Sequence, residues 1–228
     1  MGISSQEERA AFFPLFQANQ AGITRDHYQH TIVEALALRR TALDAALGQL
    51  NTPARLAVIT QAAMLLVATL STGHKVLVAG NGGSAAEAQH FASELVGRFK
   101  RERMPYAALS LTTDTSTLTA VANDYGYQDV FARQVQAFGQ PGDLLVSFST
   151  SGESENLLLA ANAAHKCLMT VIAITGDRHS RLEKLADLTI RVPVVETETA
   201  QELHMMLTHI LCDITETELS ARESEGRH

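Results

Sequence analysis

The chain has 228 residues, 46% hydrophobic and 19% charged, which is enough apolar material for a sizeable core and too little charge for a disordered chain. Its 18 Lys and Arg against 25 Asp and Glu leave a formal charge of -7, which disfavours sequence-independent binding of nucleic acid. Cys167 and Cys212 sit in apolar helical surroundings without C-x-x-C spacing; this excludes zinc fingers and disulfide scaffolds, no apolar run is read as reaching the ~18 residues of a membrane helix, and a cytoplasmic protein is expected.

Residues 1–25 show weak periodicity and are read as an N-terminal arm. From Asp26, Ile32, Leu36, Leu43, Leu47 and Leu50 recur at helical spacing, predicting one long amphipathic helix. A second helix is expected from Thr52, with Pro53 in its first position, through Leu56, Ile59, Ala63, Leu66, Val67 and Leu70 to a stop at Gly73. This helical hairpin has a wide apolar stripe suited to an oligomer interface. After Gly73 short apolar runs alternate with helical stretches. Strands are expected at residues 75–79, 106–111, 143–148, 170–175 and 188–192, and near-continuous apolar runs suit strands buried on both faces. The expected fold class is therefore α/β: a three-layer sandwich, with a five-stranded parallel sheet flanked by helices and preceded by the hairpin. A last helix is expected to open at Thr199 with a capping box to Glu202, and residues 223–228 read as a polar tail. Residues 26–222 thus form a single domain.

In an open parallel sheet, ligands bind beyond the carboxyl ends of the strands. The loop after the first strand reads Gly80, Asn81, Gly82, Gly83, Ser84, and its glycines let backbone N–H groups approach an anion at a helix N-terminus. The loop after the third strand reads Ser149, Thr150, Ser151, Gly152, Glu153, Ser154. Its hydroxyls, free amides and helix dipole suit a phosphate dianion. Either loop alone is equally well an ordinary capped turn. Together they favour a sugar phosphate over a dinucleotide, whose relaxed fingerprint at residues 80–85 is weak by itself.

His90 and Glu94 stand four residues apart and share a helix face. Gln201 and His209, eight apart, lie about 80° from each other around a helix. Two such pairs make a tetrahedral metal site, although i, i+4 His and Glu pairs are also common by chance, and His204 competes with His209.

The segment VLVAGNGGSAAEAQHFASELVGRF, followed by AVANDYGY, GDLLVSFSTSGES and QELHMMLTHILCD, resembles the phosphoheptose isomerase family, whose members carry a sugar isomerase domain. The likeness covers roughly residues 36 to 218. It implies a cytoplasmic homotetramer converting sedoheptulose 7-phosphate to D-glycero-D-manno-heptose 7-phosphate for activated-heptose biosynthesis. It further implies substrate contacts from Asn81, Gly82, Gly83, Glu94, Asn123, Asp124, Ser149, Thr150, Ser151, Ser154 and Gln201. Zinc is implied at His90, Glu94, Gln201 and His209, so the resemblance selects His209 over His204. Glu94 would be the base and His209 the acid; no nucleic acid or membrane partner is expected. The chain departs from the family in its longer arm, in the stretch VVETETAQE, and in Glu153, which replaces a usual Asn. A carboxylate beside a phosphate repels it, so Glu153 is expected to point outward or to alter substrate preference. The alternative is a non-catalytic tetrameric scaffold similar to the replication-initiator-associating protein, with which AVAND and LCD are shared; Glu94 and His209 favour the enzyme.

Overall fold

The computed structural model describes residues 25–225, with side chains through residue 221. All but the last residue of the expected arm, and residues 226–228 of the expected tail, lie outside the described residues. The chain divides into two compact units, Met1–Ala42 and Leu43–His228. Helix α1 is described over Arg25–Leu50 and contains the periodic positions read from Asp26 onward. Its part in the first unit exposes Tyr28, Ile32, Val33, Leu36 and Leu38.

The second unit holds the sheet. Thr52 is extended and Pro53 occupies the first turn of α2 (Pro53–Ser71), where a missing N–H costs nothing. Ile59, Ala62, Ala63, Leu66 and Val67 form its buried face. Leu66 is 1% exposed, and its truncation to Ala is expected to cost about 2–5 kcal/mol. One expectation is corrected here: α2 is long and apolar enough to cross a membrane by length and composition. Its residues Ile59, Ala62, Ala63, Leu66 and Val67 join the core cluster formed with Val76, Phe91 and Leu203, and 33% of that apolar window is buried.

The sheet contains β1 (Val76–Gly80), β2 (Ala108–Ser110), β3 (Leu144–Ser149), β4 (Thr170–Thr175) and β5 (Leu188–Arg191). Their spatial order is β2-β1-β3-β4-β5, and every pairing is parallel. β1, β3 and β4 are almost wholly buried, as the apolar runs require. β2 is shorter than residues 106–111 because it is an edge strand that pairs only through Val76–Val78 of β1.

Between the strands run α3 (Gly83–Val96), α4 (Thr115–Tyr125), a 3-10 turn (Tyr127–Asp129), α5 (Ala132–Phe138), α6 (Glu155–Lys166) and α7 (Arg181–Leu185), with α8 (Thr197–Glu225) last. Alternation along the strands separates two cores. Val76, Val78, Leu144, Val146 and Phe148 pack with α2, α3 and α8, while Leu77, Ala79, Leu145, Val171 and Ala173 pack with α5 and α6. Helix α8 starts two residues before the expected Thr199, so Thr199 lies inside its first turn rather than at its N-cap, and the helix continues into the residues read as tail. The chain leaves β1 toward β2 and returns on the other side as β3. The carboxyl ends of β1 and β3 therefore form the point where strand order reverses, the usual crevice for a ligand in such sheets.

Candidate active site

Gly80 lies opposite Phe148 in the β1–β3 register, so the two loops leaving these strands meet. Together with Gln201 they wall a cavity of about 230 Å³ that includes Asn81, Gly83, Ser84, Ser149, Thr150, Ser151 and Ser154. Two glycines make this approach feasible. A Cβ at Gly80 would overlap the backbone of Ser84, and one at Gly83 would overlap the Gln201 amide, so α3 starts hard against the strand end with α8 laid beside it.

The hydroxyls divide their labour. Ser149 Oγ accepts from Gly152 N at 3.0 Å and Ser151 Oγ from Glu153 N at 3.3 Å, so these two shape the turn as ordinary capping chemistry would. Ser154 is the N-cap of α6 yet caps no backbone N–H. Its hydroxyl and the first amides of α6 remain for an anion. Asn81 is fixed by a reciprocal amide pair: its Nδ2 donates to Asn156 Oδ1 at 2.9 Å and its Oδ1 accepts from Asn156 Nδ2 at 2.8 Å and from Tyr127 OH at 2.9 Å.

Glu153 is not among the residues lining this cavity. Arg181 grips it, through backbone N to Oε1 at 2.9 Å and Nε to Oε2 at 2.8 Å. The hydrogen bonds from Arg181 hold the Glu153 carboxyl below its ordinary range. Of the two expectations for this residue, the geometry meets the first: the carboxylate is turned onto a cation.

Beyond Gly83 and Gln201 lies a second, more open cavity of about 700 Å³, whose wall includes Glu87, His90, Glu198 and Met205. Here α3 and α8 converge. His90 Nε2 is 3.0 Å from His209 Nε2 and 3.3 Å from Glu94 Oε1, and one ligand atom from each of the three residues lies within 4.8 Å of the others. The His90 and Glu94 side chains are 39% and 21% exposed. Tetrahedral bonds of about 2.0–2.1 Å set ligand atoms roughly 3.3 Å apart, so these three donors and their spacing fit three positions of a zinc site. Phe99 stacks on the His209 ring, centroids 5.5 Å apart and planes 19° from parallel. Gln201 borders both cavities.

His204 points elsewhere. It is wholly buried, with Nδ1 3.5 Å from Glu87 Oε2, so the geometry groups His209 and not His204 with His90 and Glu94. Asn123 and Asp124 are not brought in: they are exposed on α4, their side chains bond to each other at 2.8 Å, and they line neither cavity. A separate cavity of about 240 Å³ beside β5, with Arg55 and Arg191 in its wall, holds none of these groups. Sequence reasoning missed Asn156, Tyr127 and Phe99. Asn156 carried a usable signal, a polar side chain in the first turn of the helix immediately before the apolar run Leu157, Leu158 and Leu159.

The sequence matches the SIS domain family over residues 43–176. It is 54% identical over 162 residues to a phosphoheptose isomerase of Thiobacillus denitrificans, covering 70% of this chain and 82% of that protein. Among solved structures, the fold is similar to a phosphoheptose isomerase from Neisseria gonorrhoeae, with a TM-score of 0.75 at 41% identity, covering 83% of this chain and 99% of that one. It is also similar to one from Francisella tularensis, with a TM-score of 0.73 at 38% identity, covering 86% of this chain and 100% of that one.

Proposed function

This chain belongs to the phosphoheptose isomerase family of SIS-domain proteins and is a sugar phosphate isomerase, and from that premise we propose that it converts sedoheptulose 7-phosphate to D-glycero-D-manno-heptose 7-phosphate for activated-heptose biosynthesis in the cytoplasm. The observation that carries the proposal is the shared wall at Gly83 and Gln201. It joins an anion pocket rich in hydroxyls and amides to a cavity lined by His90, which clusters with Glu94 and His209, and this supports the reading.

The phosphate sits in the pocket of Thr150, Ser154 and the α6 amides, and the sugar chain runs past Gln201 toward Glu94. Glu94 takes the proton from carbon 1. The electron pair released forms the carbon 1–carbon 2 double bond, and the carbonyl oxygen on carbon 2 gains a proton from His209, giving an ene-diol. Loss of the proton on the carbon 1 oxygen to His209 and return of the carbon proton to carbon 2 complete the aldose. His90, Glu94, Gln201 and His209 are the residues that would hold zinc, which supplies Lewis-acid stabilisation of negative charge on the sugar oxygens.

The working assembly is a homotetramer in this reading. Asn123 and Asp124, which line neither cavity in one chain, then face a site on another copy, and the exposed apolar residues Ile32, Leu36 and Leu47 are covered. Light scattering is expected to give four times the 24.6 kDa chain mass. The activity is tested by incubating the protein with sedoheptulose 7-phosphate in deuterium oxide and reading the products by NMR. Conversion with deuterium entering at carbon 1 or 2 is the expected result; no turnover of any ketose phosphate would favour the scaffold alternative.

A further inference from the structure

Outside both cavities, but bonded to the backbone of the acid–base cluster and its neighbours, lies an ion pair between Arg103 and Glu216, both 1% exposed, with Nε to Oε1 at 3.1 Å. Arg103 follows α3 on a loop, and Glu216 stands on α8 two turns beyond His209. Burying two charges is costly unless every polar atom finds a partner, and here the partners are plentiful. The Arg103 guanidinium donates through Nη2 to the carbonyl of Glu94 at 2.8 Å and through Nη1 to the carbonyls of Leu95, Gly97 and Met104 at 3.0, 3.2 and 3.0 Å. Those of Glu94 and Leu95 belong to the last turn of α3, where carbonyls lack helical partners. Glu216 accepts from the backbone N–H of Phe99, Lys100 and Arg101 at 2.9, 2.8 and 2.9 Å. The Arg103 guanidinium also lies 3.8 Å over the Tyr106 ring.

These contacts reach the chemistry from both sides. The residue whose carbonyl Arg103 holds is Glu94 itself, and the residue whose amide Glu216 holds is Phe99, which stacks on His209. We propose that the Arg103–Glu216 pair is a positioning device for the acid–base site: it fixes the end of α3 that carries Glu94 and holds the Phe99 ring as a plate behind the His209 imidazole. Neither residue touches the cavity, so both act through others. Replacing a buried pair by apolar side chains of similar volume often leaves stability unchanged, whereas no apolar pair reproduces donors aimed at Glu94 O or an acceptor for Phe99 N. The inference rests on the isomerase reading for its rate readout but not for its geometric ones.

The test compares Arg103→Met/Glu216→Leu and Arg103→Lys with the parent in three measurements: zinc affinity by chelator competition, the His90 and His209 imidazole NMR signals of metal-free protein, and isomerase kinetics. The double variant is expected to melt close to the parent, to bind zinc about 10- to 100-fold more weakly, and to lose kcat by a similar factor. Its KM should stay within about twofold, because the Thr150 and Ser154 pocket is untouched. Its His209 signal should shift as the Phe99 ring leaves. Arg103→Lys keeps the charge opposite Glu216 but loses the planar fork; it is expected to retain stability, bind zinc more weakly than the parent and lose part of kcat, and it carries the test if the double variant fails to fold. Parental zinc affinity together with an unshifted His209 signal, in whichever variant folds, would overturn the proposal. A parent without isomerase activity would overturn the isomerase reading alone, since the zinc and NMR measurements would still decide the role of the pair.

Discussion

The anion pocket shares Gly83 and Gln201 with the cavity that His90 lines, but the pocket and the imidazole cluster are assembled by opposite means. The pocket is made from two loops adjacent in the sheet, and its polar groups are backbone amides and short side chains set by the turns themselves. The cluster is made from long side chains on α3 and α8, with His90 and His209 separated by 119 residues, and depends on how two helices are held. A pocket of the first kind needs little beyond its own loop, as the Ser149 and Ser151 turn bonds illustrate. One of the second kind needs support from behind, because imidazole and carboxylate rotamers are fixed only by what packs on them.

The contrast is broken most severely at Glu94. Glu94→Gln keeps the shape and a hydrogen-bonding group but removes the basicity, so kcat is expected to fall about 100- to 10,000-fold with KM for the sugar phosphate nearly unchanged. Steady-state kinetics check this, and near-parental kcat would remove Glu94 from the base role. His90→Ala and His209→Ala are next: each should abolish stoichiometric zinc in metal analysis, whereas Ser154→Ala should leave it intact. On the pocket side, Thr150→Ala and Ser154→Ala each remove a hydroxyl from a charged ligand, a bond worth about 1.5–3 kcal/mol. Each should therefore raise KM about tenfold or more while kcat holds, the reverse of the Glu94 pattern.

A milder comparison uses acid. Burial pushes the Glu216 carboxyl up, but the amides of Phe99, Lys100 and Arg101 and the charge of Arg103 outweigh it, so the folded value lies below the ordinary one. A lowered folded pKa contributes stability that is complete above the unfolded pKa and lost as pH falls through the folded value. The parent's advantage over Glu216→Gln in urea midpoint should therefore be largest near neutrality and shrink below about pH 5. The exposed Asp213, held down first by Lys100 and then by Arg101, adds in the same direction. The smallest effect is expected at Cys212, whose thiol burial pushes up to about 12. A thiol reagent at neutral pH should label the partly exposed Cys167 and leave Cys212 and turnover untouched.

The same division governs what the sequence reveals. The pocket is legible because its signals are contiguous: a strand-like run, then Gly80–Ser84 or Ser149–Ser154, then a helix. The cluster is half legible. The i, i+4 spacing of His90 and Glu94 is a local fact, but spacing on α8 left His204 and His209 equal; the family resemblance chose His209, and the packing that buries His204 against Glu87 gives the physical reason. The Arg103–Glu216 pair was not legible at all. Arg103 lies in a run of charged residues that reads as a solvated loop, and its partner is 113 residues away. Strand and helix interiors followed from apolar periodicity; the ends of β2 and α8 did not, because one depends on how far β1 extends for pairing and the other on where α8 meets the sheet. Asn123 and Asp124 marked a recognisable segment without revealing that one chain leaves them outside both cavities.

The grip of Arg181 on Glu153 bears on how quickly substrate is captured. A chain of formal charge -7 repels an approaching dianion, and the encounter rate depends on the field at the mouth of the site more than on the total. Glu153 belongs to the very loop that the phosphate must enter, and the guanidinium that holds it at 2.8 Å also holds Glu155 at 3.0 Å, so one cation offsets part of the charge of two carboxylates at the rim. Without Arg181 both carboxylates would stand uncompensated by it, and association would slow at low ionic strength and recover as salt shortened the Debye length to about 8 Å. In the intact protein the shared guanidinium should keep the salt dependence of capture mild, and Arg181→Ala should make it steeper.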